Sequence, residues 1–236
     1  MATYVLTDCK LFLGGYAVAS DFNNFTLNHE ADAVENTAFG GPRTFTSGLK
    51  RSMLEGTGFF QAGVGKIDEI LSVEFALNGE VVTVGPTDGA AGSPGFSFQS
   101  LVAKYNPLTG GVGDMLEFSL SAEGVGPLAR GTIMENGAQA ATGNGTARNL
   151  GAASATQKLY TALHVLSGSG TLTVKVQSDD ASGFLTPADQ ITFTAATGIG
   201  AQWATAVSGP ITDTWWRASW TIVGGPFTFL VLIAIQ

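Results

Sequence analysis

The sequence has one cysteine, Cys9, so no disulfide framework can form within a single chain. Together with two histidines, His29 and His164, it leaves almost nothing from which to build a zinc site. Charged residues make up only 13%, against ~25% in typical soluble domains. Few charges beside many β-branched and aromatic side chains exclude intrinsic disorder, which has the opposite balance. The Ala/Glu/Lys/Leu/Arg periodicity of a coiled coil is also missing. Lys and Arg total 11 and are scattered, the densest group being Arg43, Lys50 and Arg51. Phosphate neutralisation needs basic clusters, which argues against adhesion to DNA and leaves repulsion of DNA open. Apolar runs are short: the strongest, Phe227–Ile235, falls far below the ~20 residues of a spanning helix. Its Phe, Val and Ile suit a buried strand. The opening MATYVLTDCK shows neither a basic stretch nor a long apolar one. We therefore expect no secretion signal, and use in a cytosol-like compartment. The triplets Asn24-Phe25-Thr26 and Asn144-Gly145-Thr146 then carry little weight as glycosylation sites.

What is present is β-forming and acidic. The 236 residues (24.3 kDa) hold 32 glycines and 44% hydrophobic residues, with a net charge of −8. That length fits one large all-β domain or two small ones. The charge is uneven: residues 1–130 hold 14 acids and 7 bases, and residues 131–236 hold 5 and 4. We expect two modules, 1–130 and 131–236, with a flexible joint in the Gly-rich stretch Gly124–Gly145.

Along the first module, strands are expected at Thr3–Leu13, Asp21–Glu30, about Arg51–Phe60, Val81–Val84, Phe96–Tyr105 and Met115–Glu123. A long Gly/Pro-containing loop separates the second strand from the third. One amphipathic helix is expected over Lys66–Leu77, with Ile67, Ile70, Leu71 and Phe75 on one face and Asn78-Gly79 as its stop. Met115–Glu123 alternates most cleanly: Leu116, Phe118, Leu120 and Ala122 face one way, and Met115, Glu117, Ser119, Ser121 and Glu123 the other. The second module reads as strands only: Lys158–Leu166, Thr171–Ser178, Gln190–Thr194, Gln202–Val207, Thr214–Val223 and Phe227–Ile235. Such a series suits an antiparallel β-sandwich.

Chemistry-bearing motifs are sparse. Gly-x-Gly occurs seven times, and none reaches the third glycine of a dinucleotide fingerprint. Gly65-Lys66 is preceded by Phe60 where a phosphate loop has its first glycine, and followed by Ile67 in place of Ser/Thr. No Gly-x-Ser-x-Gly elbow occurs. Cys9 reads as a buried, inert thiol, and His29 and His164 as structural. Asp179-Asp180 reads as solvated turn acids, with a calcium site including Asp189 as the sharper alternative. Trp216, Ala218, Trp220 and Ile222 share a face and are expected in the sandwich core, which turns Trp215 and Arg217 outward.

The segment Thr37-Ala38-Phe39-Gly40-Gly41-Pro42-Arg43, then Ser47-Gly48-Leu49-Lys50 and Glu55-Gly56, resembles the loop region of bacteriophage tail tube (major tail) proteins of long-tailed phages. The opening Lys10-Leu11-Phe12-Leu13-Gly14-Gly15-Tyr16 is similar to the first hairpin of that family. The resemblance covers a little over half the chain. It implies a mostly-β fold: a tail-tube-like β-sandwich or barrel with one α-helix, followed by a C-terminal antiparallel β-sandwich on the tube exterior. It also implies a non-enzymatic virion protein without cofactor or metal, assembled in the host cytoplasm into the phage tail. Its partners would be itself, in rings expected to be hexameric and stacked into a tube, and other tail proteins. DNA would pass through without specific binding, and no membrane would be involved. On that reading Glu30, Glu117 and Glu123 face the lumen. Phe39, Pro42, Arg43, Lys50 and Arg51 belong to a ring-stacking loop, Phe39–Arg51, and Trp215 and Arg217 lie on the outer surface. The competing readings are a capsid decoration or connector protein and a carbohydrate-binding β-module resting on Trp215.

Overall fold

A computed structural model describes residues 8–236. Of the expected strand Thr3–Leu13, the part before Asp8 lies outside the described residues. The fold is mostly β, with antiparallel pairing and one helix among the described residues. In chain order the elements are β1 (Lys10–Leu13), β2 (Tyr16–Ala17), β3 (Phe22–Glu35), β4 (Phe45–Phe59), α1 (Ile67–Glu74), β5 (Asn78–Gly85), β6 (Pro94–Thr109), β7 (Glu117–Gly124), β8 (Ala129–Gln139), β9 (Gly143–Asn144), β10 (Arg148–Asn149), β11 (Lys158–Asp179), β12 (Ala188–Thr192), β13 (Gly200–Trp203), β14 (Val207–Ser208) and β15 (Trp215–Ile235). The chain forms two compact units that interleave in sequence. One comprises residues up to Ser20, Glu80–Gln99 and Ala129–Gln236; the other comprises Asp21–Gly79 and Ser100–Leu128.

The first unit is organised by β11 and β15, which pair from Leu159↔Ile235 to Asp179↔Trp215. Two register shifts, at Val165/Ser167 and Gly168/Gly170, break this ribbon in its middle. Extra residues at a bulge reverse which parity faces a given side. Before the break Leu159, Leu163 and Val165 enter the core; after it Leu172, Val174 and Val176 do. The partner strand switches likewise, from Trp216, Ala218 and Trp220 to Phe227, Phe229, Val231 and Ile233. The ribbon thus folds back on itself around one core, where the Trp220 and Phe229 rings meet edge to face at 5.4 Å. Gly170 sits at this corner with φ +98°, where a Cβ would lie 2.2 Å from the Val223 carbonyl oxygen. Only glycine combines that dihedral with that approach.

The half of the ribbon nearer Ile235 is buried on both faces. Its second face, with Ala162, Leu230, Leu232 and Ala234, packs against Phe12, Val81, Ala129 and Ile133. That double burial explains the uninterrupted apolar run at the end of the sequence. Within this layer His164 is fully buried. Its Nδ1 faces the Gly14 carbonyl at 2.6 Å, so that nitrogen carries the proton and donates. Its Nε2 lies 2.7 Å from Thr83 Oγ1, which donates to it. Ser97 Oγ, 2.8 Å from Thr83 Oγ1, donates to the Val82 carbonyl. Burial pushes the imidazole pKa down to about 4, with the Gly14 carbonyl pulling weakly the other way.

Several sequence expectations are corrected. A unit boundary does fall close to residue 130, at Leu128/Ala129, but it does not separate two consecutive modules: Glu80–Gln99 and the residues up to Ser20 join Ala129–Gln236, with β8 pairing to Pro94–Ser97 of β6 and to β15. The stretch Gly124–Gly145 is not a flexible joint: most of it is β8, Ala129–Gln139, of which Glu135–Gln139 lies opposite Val231–Phe227. Its polar, Gly-rich composition concealed a strand held by backbone pairing. The helix ends at Glu74, because Phe75 bridges Val102 and the Ala76 amide donates to the Val102 carbonyl, drawing the chain out of the helix. Phe75 is therefore exposed rather than part of the buried stripe. Cys9 is half-buried, not fully buried; burial still raises its thiol pKa.

Gly170→Ala should lower stability by roughly 1–3 kcal/mol or more through backbone strain and the carbonyl clash. Gly183→Ala, where a Cβ meets nothing within 4 Å, should be near neutral, and urea midpoints compare the two. The His164 pKa is lower in the fold than the ordinary 6.5. Its contribution is therefore complete above the unfolded pKa and is lost as pH falls toward 4. At ~1.4 kcal/mol per pH unit, the loss amounts to about 3 kcal/mol. His164→Gln, with no proton to take up, should flatten the stability profile between pH 7.5 and pH 4.5.

Candidate self-assembly surfaces

In the second unit β3, β4, β7 and the Ser100–Thr109 part of β6 pair side by side. Residues directly opposite share a face. One face carries Leu54, Phe118, Leu120 and Ala122, all buried, together with Phe25 and Leu27. Phe22 meets Phe118 edge to face at 5.1 Å. The helix α1 is tied to this face, where the Tyr105 hydroxyl donates to Asp68 Oδ1 at 2.7 Å. Ile67, Ile70, Leu71 and Glu74 are its buried residues. Also here, His29 Nδ1 lies 3.0 Å from Ser52 Oγ.

The opposite face is wet. Across it run Asn24–Thr57–Ser119, Thr26–Glu55–Ser121, Asn28–Met53–Glu123 and Phe59–Glu117, with Glu30 opposite Arg51. The three sequence-chosen acids are thus placed on one face: Glu30 and Glu123 near one end, Glu117 near the other. Arg51 joins them, because it lies in β4 rather than in a loop. Its Nε donates to Glu123 Oε2 at 2.9 Å, and this hydrogen bond holds the Glu123 carboxyl below the ordinary range. Glu117 accepts a weaker bond from Asn23 Nδ2 at 3.4 Å. A shallow groove of ≈ 300 Å³ crosses the middle, lined by Thr26, Glu55, Thr57, Lys104, Ser119 and Ser121. The unit holds eleven acids and five bases, so most of the net negative charge resides here.

The expected Phe39–Arg51 loop is largely strand. Ala33↔Ser47, Val34↔Thr46 and Glu35↔Phe45 extend the β3–β4 hairpin into an arm, leaving only residues 36–44 as its tip. Sequence reasoning missed this extension because neither face of the arm is buried, so its residues show no apolar alternation. Phe39 and Pro42 lie at the tip, Arg43 at its return, and Lys50 and Arg51 in β4. Arg43 bridges to Glu35 at 2.9 Å and covers the Phe45 ring at 5.3 Å. Val34, Phe45 and Leu49 are exposed, Leu49 by 82%. Along its outer side β3 has no partner strand among the described residues.

In the first unit Trp216, Ala218 and Trp220 are buried as expected, and the two indoles donate to the carbonyls of Gly151 and Ala141. Trp215 and Arg217 lie on the other face, but both are half-buried. Arg217 sits 4.2 Å from the Phe184 ring centroid and donates to Gln177. The Asp179 carboxylate closes its own loop: the Ala181 and Thr186 amides donate to it and hold its pKa down. Asp189 is engaged with Lys175 and Gln177. Among the described residues no three His, Cys, Asp or Glu side chains converge as metal ligands, and no helix is long and apolar enough to cross a membrane.

No family model matches the chain. No curated protein matches it either. Solved structures to which it is similar include chains of a virion, of a tail hub and of an injection system. A chain of the native gene transfer agent virion is 14% identical, with a TM-score of 0.44, over 54% of this chain and 98% of that one. The Dit protein of SPP1, described as a hub adsorption apparatus of phages infecting Gram-positive bacteria, is 9% identical with a TM-score of 0.42, over 97% of this chain and 99% of its own. A chain of the sheath–tube complex of an extracellular contractile injection system is 9% identical with a TM-score of 0.44, over 56% and 93%.

Because Arg51 is the first cause of the depressed Glu123 pKa, Arg51→Ala should move the Glu123 titration upward toward the ordinary carboxylate value. Carbon-detected NMR titration of the glutamate carboxyls checks this. An unchanged Glu123 would mean that the ion pair is not populated in solution.

Proposed function

We propose that this chain is a structural subunit of a phage tail tube. Copies join edge to edge into rings, and the rings stack into a conduit for DNA. The observation that carries the reading is the sheet of the second unit: one face dry beneath a helix, one face wet and acidic, and an outer strand, β3, whose far edge has no partner strand among the described residues. A 14-residue strand with one open edge is a template for pairing with another chain. A sheet extended across copies closes into a barrel once the strand number is sufficient. Six copies per ring is the expectation from the family resemblance.

In this reading Glu30, Glu117 and Glu123 line the lumen with Glu55. Negative potential along a channel wall keeps a polyanion from sticking while it slides. Arg51 tempers that potential locally by pairing with Glu123. The arm, with Phe39, Pro42 and Arg43 at its end, reaches the neighbouring ring. Trp215 and Arg217 belong to the outer surface. The particle is the phage tail, assembled in the host cytoplasm with other tail proteins, and the protein needs no catalytic activity or cofactor for this role.

Electron microscopy of the purified protein should show long tubes of stacked rings; discrete monomers at every concentration would end the reading. Glu117→Lys should leave tube assembly intact and slow DNA ejection from reconstituted particles at least several-fold. Finding residue 117 on the outer surface of the assembled tube would remove the lumen assignment. Deleting Gly40–Gly48 should give folded protein that sediments as single rings or monomers.

A further inference from the structure

Four short polar contacts run in series through the doubly packed layer of the first unit. They are Val82 O to Ser97 Oγ at 2.9 Å, Ser97 Oγ to Thr83 Oγ1 at 2.8 Å, Thr83 Oγ1 to His164 Nε2 at 2.7 Å, and His164 Nδ1 to Gly14 O at 2.6 Å. Thr83, Ser97 and His164 are fully buried, and the contacts are too short to admit a water between their atoms. Each contact needs one proton to be a hydrogen bond. Both ends of the series are carbonyls, which only accept. A neutral histidine brings one proton, and each of the two hydroxyls brings one. Three protons therefore serve four contacts.

With Nδ1 donating to Gly14, Thr83 to Nε2 and Ser97 to Val82, the gap falls between Thr83 and Ser97. Two oxygens then face each other with no proton between them. Other neutral arrangements only move the gap. If Ser97 turns to Thr83, the Val82 carbonyl loses its donor; if Nε2 carries the proton, the Gly14 carbonyl does. An imidazolium supplies the fourth proton. Nδ1 then donates to Gly14, Nε2 to Thr83, Thr83 to Ser97 and Ser97 to Val82, and every contact is filled. Reaching this state from the neutral one takes a single rotation, that of the Thr83 hydroxyl.

The groups around the imidazole are uncharged. Its strand neighbours are Ala201 in β13 and Leu230 in β15. Phe12 of β1 lies with its ring centroid 5.7 Å away, and β5 and β6 present Thr83 and Ser97. None of these titrates. The far end of the series is fixed as well. Gly14 opens the turn between β1 and β2, and its neighbour Gly15 lies so close to Gly200 that a Cβ there would be 2.4 Å from the Gly200 nitrogen. A charged donor makes a stronger hydrogen bond than a neutral one, so protonation tightens the hold of His164 on this turn.

We propose that the series from Val82 to Gly14 is a proton-accepting lock. On acidification the imidazole takes a proton from solvent at Nε2 within the closed layer, Thr83 turns its hydroxyl from Nε2 to Ser97, and the β1–β2 turn stays clamped through Gly14. Burial opposes the charge, and the filled series limits that opposition, so the layer charges instead of opening. The lock is independent of the self-assembly reading.

Nitrogen NMR of the full chain labelled at histidine tests this, recorded under magic-angle spinning so that assembled and free protein serve equally. His29→Gln identifies the His164 signals. At pH 7.5 only Nδ1 should carry a proton. Toward pH 3 both ring nitrogens should become protonated while the backbone signals of the β1–β2 turn keep their native positions. Ser97→Ala leaves two contacts, which a neutral histidine and Thr83 fill completely, whereas an imidazolium would leave the Thr83 hydroxyl without an acceptor. The His164 midpoint should therefore fall by about one pH unit, a tenfold loss of proton affinity. Thr83→Ser keeps the hydroxyl and should titrate as the wild type does. An unchanged or raised midpoint in folded Ser97→Ala would overturn the lock. So would wild-type His164 that stays neutral in the native signals until unfolded signals replace them.

Discussion

Every strand has two faces, and each face must be either packed or wetted; this constraint organises both units. In the first unit the ribbon of β11 and β15 has one face around the Trp216–Phe229 core along its whole length. It keeps that face inward through a bend only because glycines at the corner allow extra residues and close backbone approach. The half nearer Ile235 has both faces packed and therefore consists almost entirely of apolar residues. In the second unit the same alternation produces one dry and one wet face. The difference between the units lies in what covers the second side: more of the same chain in one, solvent or another molecule in the other.

The polar groups follow from that division. Where both faces are packed, a buried histidine is tolerated because its two nitrogens and the hydroxyls of Thr83 and Ser97 meet partners in series. An unpaired buried group would cost far more than these bonds contribute. Where one face is wet, acids and bases stand in solvent, and their pairing is local and screened by salt. Arg51 and Glu123 form such a pair, yet their position in a regular sheet gives the surface a defined pattern of charge. A chain with only 13% charged residues concentrates its acids in this one unit.

The legible parts of the sequence were those in which one face alone is buried. Leu116 to Glu123 alternates because Phe118, Leu120 and Ala122 are packed while Glu117, Ser119 and Ser121 are not. The same rule placed Trp216, Ala218 and Trp220 in the core and separated Trp215 and Arg217 from them. The rule is silent where neither face is buried, and the arm from Ala31 to Leu49 therefore read as a loop. It is silent too where backbone pairing outweighs composition, as in Glu135–Gln139. The Phe75 side chain fitted a helical stripe, but a bridge to Val102, distant in sequence, ended the helix before it.

The sequence alone determined the mostly-β class, the buried C-terminal strand, the presence of one helix within Lys66–Leu77, and the grouping of Glu117 and Glu123 on a polar face. These depend on spacing along the chain, which is local. Only the tertiary structure decided that β11 and β15 are each one long strand bent at glycines, that Arg51 stands beside Glu123, and that Glu80–Gln99 joins the residues after Ala129. Each of these depends on which segment becomes the hydrogen-bonding neighbour of which. Backbone donors and acceptors are the same at every residue, so side-chain order does not encode that choice directly; it is made by the burial of all the faces together.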